Sequence, residues 1–592
     1  MATVVSGVTY QPTAADYVTS EIIRRYLVAT VDEMVRTTTR TAYSTCFSEA
    51  LDFSCALFDT EGALIAQAAG IPIHVGAMGD LLKDILAHYT SFDPGDVVIH
   101  NDPYAGGTHQ ADVVVARPMF FGDEMIGFAI NRGHWVDVGG MAAGGWGGNC
   151  THVIQEALII PASKLYRRGE VVREVRDLVL RNVRLPKQAW GDLQAQIASA
   201  ITAERRLAHL CERYGVEAVR QASLRAIEYT RKRWRASLTS IPDGVYRAED
   251  YMDNDGWSAE RRKICLEITK VADHVTVDFS GTSEQVRGPI NSTLAATKAG
   301  VFTALINVID PDLPINSGCL DEVEIVAPET SLVNPSYPAP VFAGLADTAA
   351  RICEAVFMAL AEVVPDRVAA GSYATGNNTT GYGYLPDDGG EFVWYSFGPG
   401  GCGARGLGDG NTVDWDPRAS CKNESAEIWE HRYPVRIVDF RLRTDSGGAG
   451  RRRGGLGHVK AIELLEDTYL SATVDRNVIP PFGLFGGGEG ACNRLTLEVD
   501  GVEHGFVERF GVASPSKFSN LLAPAGSIYR IYSGGGGGYG PPEERDVEAV
   551  VTDVRAEYVS LRAAESNYRV AVDPVTLRLD AAKTAELRSA GA

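Results

Sequence analysis

Four short glycine clusters after residue 370 constrain the fold of this chain more than any other feature of its sequence. They lie at 398–410, 445–457, 482–490 and 533–542, with short apolar runs between them. Glycine has no Cβ, so it permits tight turns and close approaches between backbones that other residues exclude. The pattern predicts a mainly β domain over residues 371–592, in which we expect the glycine clusters to form functional or interface loops.

The first 370 residues mix the apolar periodicities of helices and strands. Apolar runs between 51 and 133 alternate with turns and one helical pattern, which predicts a buried sheet with a helix against it. A mostly helical stretch, 183–237, is followed by turn-rich residues 240–256. Because 592 residues are too many for one hydrophobic core, we expect an α+β protein of several domains. The predicted domains are a mixed sheet-and-helix domain with a helical extension at 1–239, an α/β domain at 240–370 and the glycine-rich β domain at 371–592.

Composition argues against several classes of function. The formal net charge of −20 disfavours binding to nucleic acid or to anionic lipid. No apolar run approaches the roughly 20 residues that span a bilayer, and residues 1–17 lack the basic and apolar regions of a signal peptide. The ten cysteines contain no CxxC pair, which is typical of reduced thiols. We therefore expect a cytoplasmic protein that binds neither nucleic acid nor membranes.

The common motifs of nucleotide binding and of serine nucleophiles are missing from the sequence. No segment reads GxxxxGK[ST], and no GxGxxG links a strand to a helix in the first 150 residues. No GxSxG segment forms a credible nucleophile elbow. If ATP takes part in the chemistry, this chain shows no obvious place for it.

The histidines carry more information. Five of the eleven lie between residues 74 and 134, and two of these begin His-x-x-Asp motifs beside glycines at predicted strand ends. The motifs are His109 with Asp112 and His134 with Asp137. Imidazole and carboxylate ligands together suit Zn, Mn or Fe(II). One such motif is more typical of a structural histidine, but two in a histidine-poor chain make a shared metal site an equal alternative. Asp52, just before an apolar strand, is a third acidic candidate, although alone it reads as a strand-edge aspartate.

Longer stretches around these motifs resemble the hydantoinase B/5-oxoprolinase family, and the resemblance covers nearly the whole chain in the expected order. That family includes subunits of N-methylhydantoinase, of caprolactamase and of the acetone and acetophenone carboxylases. The stretches that carry the resemblance include "IPIHVGAMGD", "HNDPYAGGTHQADVVVARPMFF", "INRGHWVDVGG", "TDSGGAGRRRGGLG" and "GGGGGYGPPEERD".

The resemblance implies a partner and a set of ligands. A hydantoinase A-type subunit would bind ATP with Mg and phosphorylate an amide or enol oxygen, which explains the missing nucleotide motifs. The present chain would hold a divalent transition metal, Zn, Mn or Fe, on His109, Asp112 and His134, with Asp52 as a further ligand. Asp137 would orient His134 or the water on the metal, and Asp52 or Asp137 would take the proton of that water.

The resemblance leaves three functions open. The first is the metal-bearing subunit of an ATP-dependent amidohydrolase for cyclic amides (a hydantoin, a lactam or 5-oxoproline), in which metal-bound water attacks the activated carbon. The second is a subunit of an ATP-dependent ketone carboxylase. The third is a noncatalytic scaffold. In each case we expect a hetero-oligomer.

Overall fold

The computed structural model describes residues 14–68, 72–386 and 389–589. The residues on which the expectation about a signal peptide mainly rests, 1–13, lie outside this part of the chain. Within it, no helix combines the length and the apolar character needed to cross a membrane. The helices and strands form an α+β protein with several sheets, which confirms the predicted fold class.

The N-terminal part is a seven-stranded antiparallel sheet with helices on both faces. Its strands are β1 (Phe53–Phe58), β2 (Leu64–Ala68), β3 (Val97–His100), β4 (Asp112–Phe121), β5 (Glu124–His134), β6 (Ser163–Arg167) and β7 (Glu170–Val171), in the spatial order β2-β1-β5-β4-β3-β6-β7. Its helices are α1 (Ala14–Thr41), α2 (Thr45–Ser48), α3 (Pro72–His88), α4 (Val153–Glu156), α5 (Arg173–Leu180), α6 (Pro186–Tyr214) and α7 (Val216–Leu238).

Both faces of this sheet are buried, and this explains the unbroken apolar run of β4. Val113 and Val115 share a core with apolar residues of α1 and α6. Val114 and Ala116, which point the other way because successive side chains alternate, share a second core with α3. A strand covered on both sides has no polar face, so it reads as continuous valine and alanine.

The middle part contains one sheet and three helices. The strands β8 (Gly244–Met252), β9 (Arg262–Val271), β10 (His274–Asp278) and β11 (Val323–Val326) form a sheet in the order β11-β10-β9-β8, in which only the β10–β11 pair is parallel. The helices are α8 (Leu294–Ile309), α9 (Ser317–Leu320) and α10 (Ala349–Leu360). The apolar residues of α8 and α10 lie almost entirely in the core.

The C-terminal part contains two antiparallel sheets. The strands are β12 (Asn378–Tyr384), β13 (Glu391–Ser396), β14 (Val435–Leu442), β15 (His458–Leu464), β16 (Thr468–Thr473), β17 (Arg494–Val499), β18 (Val502–Gly505), β19 (Lys517–Ala523) and β20 (Ile528–Tyr532). They are ordered β13-β12-β16-β19 and β14-β15-β20-β17-β18. The helices are α11 (Ala426–Arg432), α12 (Phe506–Phe510), α13 (Val547–Arg555), α14 (Leu561–Tyr568) and α15 (Ala581–Ser589).

The last glycine cluster is buried, so our expectation that it forms a functional or interface loop is wrong. Residues 533–540 are all buried. Successive N–H groups of this segment donate to different backbone segments, which no sheet ladder does. Gly535 N–H donates to the carbonyl oxygen of Ala491, Gly536 to that of Gly455, Gly537 to that of Gly371 and Gly538 to that of Gly488, at N···O distances of 2.7–3.0 Å. This last cluster is therefore a packing core of the region, because only backbones without side chains approach one another from several sides.

Gly536→Ala tests this packing. A Cβ on residue 536 would lie 1.9 Å from the carbonyl oxygen of Cys402, a backbone atom that has little freedom to move. We expect the substitution to destabilise the fold by at least about 1–3 kcal/mol, as overpacking does. Gly408→Ala is the matched control, since a Cβ there meets nothing within 4 Å. Denaturant unfolding of both variants measures the difference, and equal midpoints would contradict the packing.

Candidate metal centre

Strand pairing brings together the two predicted metal-binding segments. In the register of β4 and β5, Asp112 stands directly opposite His134, the last residue of its strand. Asp52 precedes β1 on the other side of β5, and its carbonyl oxygen accepts a hydrogen bond of 3.1 Å from the His134 N–H. His109 precedes Asp112 in the turn before β4. The candidate ligands thus lie at one end of three adjacent strands.

A network of buried charges holds Asp112 in place. Its Oδ2 accepts hydrogen bonds from Thr108 Oγ1 at 2.7 Å and from Arg132 Nη2 at 2.8 Å. His109 Nδ1 is 3.1 Å from the same oxygen. His74 Nε2 is 3.5 Å from the other carboxylate oxygen, Oδ1. One carboxylate oxygen therefore orients the neighbouring side chains, and the second remains available.

Aromatic rings enclose the histidines. Trp146 and Tyr395 stack on the His134 ring, with centroids 5.7 and 4.9 Å away. Phe342 meets His109 edge-on at 4.9 Å. Trp146 follows the glycine turn after β5, whereas Tyr395 comes from β13, so the N-terminal and C-terminal parts both contribute to the wall. Such a wall keeps water from the ring nitrogens.

The protonation of the site follows from burial and charge. Burial lowers the pKa of His74 and of His134 to about 3, so both rings are neutral and keep a lone pair for a metal. Burial, followed by the charge of Asp112, raises the pKa of Asp52 well above its ordinary value. Burial acts in the same direction on Asp112, but His109, His74 and Arg132 together hold the pKa of that carboxyl well below its usual range.

Several buried atoms of these residues have no hydrogen-bond partner in the described part of the chain. They are His109 Nε2, Asp112 Oδ1 and both ring nitrogens of His134. Buried polar atoms almost always have a partner, because leaving one unpaired costs about 1–3 kcal/mol. All four are of the types that bind divalent transition metals. The donor chemistry of these residues therefore fits the metal that the sequence predicts.

Comparison with known proteins shows which family has this sequence and architecture. The family model described as hydantoinase B/oxoprolinase matches residues 16–542. The chain belongs to this family. It is 37% identical to an uncharacterized protein of Methanocaldococcus jannaschii, over 94% of this chain and 96% of the relative. It is 31% identical to a protein of Pseudomonas sp. (strain NS671) that is provisionally named as the B-type subunit of a D-/L-hydantoinase, over 97% and 98% of the two chains.

Two solved structures of the family's neighbours share the fold. ATP-dependent caprolactamase from Pseudomonas jessenii superposes with a TM-score of 0.88 and 28% identity, covering 98% of this chain and 100% of that one. Nucleotide-free acetone carboxylase also gives a TM-score of 0.88, with 20% identity over 97% of this chain and 82% of that one. The second likeness, at that identity, shows the fold alone.

Asp137 does not join the other predicted residues, and its expected role is corrected. Its two carboxylate oxygens accept hydrogen bonds from the backbone N–H groups of Gly139, Gly144 and Arg184 and from Arg184 Nη1, at 2.8–3.1 Å. No hydrogen bond joins it to His134 among the described residues. Four donors occupy the lone pairs that a general base needs. In this family member Asp137 anchors the loop that carries Trp146.

The structure adds three residues that we did not assign from the sequence. His74 and Arg132 contact Asp112 as described above. Cys46, on α2, offers its sulfur together with an oxygen of Asp52 and a nitrogen of His134, and the three atoms lie within 4.8 Å of one another. His74 and Arg132 lie within the stretches that resemble the family. Cys46 belongs to no CxxC or CxxH pair, so the sequence pattern around it does not mark it as a metal ligand.

The histidines open onto a small cavity that adjoins a larger cleft. The cavity measures about 70 Å³ and its walls include Asp52, His74, His109 and His134. The cleft measures about 930 Å³. The two share Trp415, Arg418, Ala419 and Cys421 as lining residues. The cleft is thus wide enough for an organic substrate and shares a wall with the cavity beside the histidines.

Arg132→Gln tests the charge network. Arg132 and Asp112 are fully buried partners, and removal of one partner of a buried pair costs about 3–5 kcal/mol. The control is Arg247→Gln, which removes an ion pair with Glu267 that solvent reaches, and we expect it to cost at most about 1 kcal/mol. Urea unfolding of both variants provides the comparison. A similar decrease in the free energy of unfolding in both variants would show that Arg132 does not hold Asp112 in place.

Proposed function

We propose that this chain is the metal-bearing B-type subunit of an ATP-dependent cyclic-amide hydrolase. The observation that carries the proposal is the set of buried, unpartnered ligand atoms on His109, Asp112 and His134. His109 and His134 line a cavity that adjoins a wide cleft. The family and its similarity to a hydantoinase subunit and a caprolactamase over nearly their full lengths support the reaction type.

His109 Nε2, Asp112 Oδ1, His134 and Asp52 would hold the ion. A divalent transition metal bound there supplies Lewis-acid polarisation and lowers the pKa of water from 15.7 towards about 7. Asp112 has a second task, because its Oδ2 contacts His109 Nδ1 and so turns Nε2 towards the ligand position. The set of two histidines and two aspartates is compatible with Zn, Mn or Fe.

The cavity wall offers a cation for the activated substrate. A cyclic amide resists hydrolysis until its oxygen is made a leaving group, and a partner subunit of the hydantoinase A type would do this by phosphorylation. Arg418 lines both the cleft and the cavity. Its bonds to Asp416 and to the Ala346 carbonyl account for three of its five N–H groups. The remaining N–H groups suit the anionic oxygens of a phosphorylated amide.

Asp52 is the residue that we assign to proton transfer. With Asp137 bonded to its loop, Asp52 is the only carboxylate of the originally proposed pair that lines the cavity. Its burial raises the pKa above that of an exposed aspartate, which strengthens it as a proton acceptor. The rings of Trp146, Tyr395 and Phe397 line the same space and limit the access of bulk water to the reacting carbon.

A ketone carboxylase is the second candidate. The observation in its favour is the fold shared with acetone carboxylase, at a TM-score of 0.88. Identity to that protein is 20% and this chain covers 82% of it, against 28% and full coverage for caprolactamase. Sequence similarity therefore favours hydrolysis over carboxylation. A noncatalytic scaffold, the third reading, would not need the unpartnered ligand atoms.

Substrate-dependent phosphate release distinguishes hydrolysis from carboxylation. The chain, purified with its ATP-binding partner subunit, is incubated with ATP and either hydantoins and lactams or ketones plus bicarbonate. We expect phosphate release and ring opening with a cyclic amide, and loss of ring opening in Arg418→Gln with metal content retained. Phosphate release only with ketone plus bicarbonate would contradict the hydrolase and support the carboxylase.

His109→Ala tests the metal centre itself. The variant loses one ligand and the partner of Asp112 Oδ2, so we expect it to lose bound transition metal and activity together while the fold persists. His88→Ala is the control, because His88 is an exposed residue of α3. Elemental analysis and circular dichroism give the two readouts. Unchanged metal content or full activity in His109→Ala would contradict the assignment of His109 as a metal ligand.

A further inference from the structure

We propose that Cys46 provides a thiolate ligand to the metal centre, beside Asp52 and His134, and that this makes the site select Zn²⁺ over Mn²⁺ and Mg²⁺. The inference rests on the proposed function in that it takes the same centre to bind an ion. It goes beyond that function because the ligands inferred so far are nitrogen and oxygen atoms that do not choose among Zn, Mn and Fe.

The first support is distance. Cys46 Sγ, an Asp52 carboxylate oxygen and a His134 ring nitrogen all lie within 4.8 Å of one another, and the three residues are buried. Ligands of one tetrahedral zinc ion stand roughly 3–4 Å apart, given bond lengths of about 2.0–2.3 Å. A small side-chain movement therefore brings the three atoms onto one ion without displacing the backbone.

The backbone fixes the three residues relative to one another. The Asp52 N–H donates to the Cys46 carbonyl at 2.9 Å, and the His134 N–H donates to the Asp52 carbonyl at 3.1 Å. Gly133 has no Cβ, and one placed there would lie 2.2 Å from the ring of Phe47. The helix that carries Cys46 thus packs directly on the residue before His134. This arrangement gives the sulfur a defined position beside the imidazole.

The second support is the missing partner of the imidazole. Neither ring nitrogen of His134 makes a hydrogen bond in the described part of the chain, although the residue is 3% exposed. A histidine kept only for packing would leave two polar atoms unpaired at a cost of about 1–3 kcal/mol each. A ligand between His134, Asp52 and Cys46 removes part of that cost and uses the sulfur as well.

The chemistry of sulfur sets the choice of metal. On binding, the S–H bond of Cys46 breaks, a metal–sulfur bond forms and the proton leaves to solvent, with no change of oxidation state. Thiolates are soft ligands that favour Zn²⁺, whereas Mg²⁺ and Mn²⁺ prefer oxygen ligands. Cys421 also lines the cavity and is buried, but it does not belong to the group of atoms within 4.8 Å. It is therefore the matched control.

Cobalt substitution tests the sulfur ligand directly. The full-length chain is freed of metal, loaded with Co²⁺ and examined in the near ultraviolet, where a thiolate bound to Co²⁺ gives a charge-transfer band. We expect the band in the wild type and in Cys421→Ser, and its loss in Cys46→Ser. Bound Co²⁺ without the band in the wild type overturns the inference, whether or not the variants fold. The band surviving in Cys46→Ser, or disappearing only in Cys421→Ser, overturns it as well.

Chelator competition adds a measure of selectivity. Cys46→Ser should lower the affinity for Zn²⁺ by at least about 10–100-fold, the range seen when only an outer partner of a ligand is lost, and leave the affinity for Mn²⁺ within about threefold. Equal losses for both ions would contradict the selection by sulfur. A wild-type chain that binds neither Co²⁺ nor Zn²⁺ would contradict the proposed function too. Tight metal binding that does not depend on the Cys46 sulfur would contradict this inference alone.

Discussion

The antiparallel register of β1, β5 and β4 is the constraint on which the site depends. It sets Asp112 opposite His134 and ties the His134 N–H to the Asp52 carbonyl. A slip of one residue in either pairing would turn every side chain of a strand to the other face of the sheet. Because both faces of this sheet are buried against helices, such a slip would also destroy two cores. The stability of the sheet thus fixes the geometry of the candidate ligands.

The arrangement around Asp112 shows how a buried carboxylate is kept ionised. Arg132 supplies the full positive charge, and His109 and His74 add polar contacts. Asp52, close by, lacks an equivalent cation of its own, so burial and the charge of Asp112 raise its pKa instead. Two neighbouring buried carboxyl groups therefore have opposite tendencies, a division that is common where one holds a charge and the other exchanges a proton.

The C-terminal part contributes side chains to the wall of the cavity. Its glycine clusters pack backbone against backbone, and loops attached to them deliver Trp415 and Arg418 to the cavity, while β13 supplies Tyr395. Sequence reasoning predicted the mainly β character of this part correctly, but it interpreted buried glycines as surface loops. The error has a physical reason. A glycine needed for a turn and a glycine needed for close packing look the same in a sequence, and only the neighbouring segments tell them apart.

The sequence by itself determined the elements and the chemistry of the candidate ligands: the apolar runs of the N-terminal sheet, the long helices, and the two His-x-x-Asp motifs. These are local patterns, set by the periodicity of a strand or helix and by the donor atoms of a side chain. Tertiary structure alone decided which residues meet. In the folded chain Asp137 accepts hydrogen bonds from Arg184 and makes none with His134 among the described residues. Cys46, His74 and Arg132 instead lie at the candidate metal centre. Such pairings join residues far apart in the chain, and they are fixed by strand register and packing that no short stretch of sequence contains.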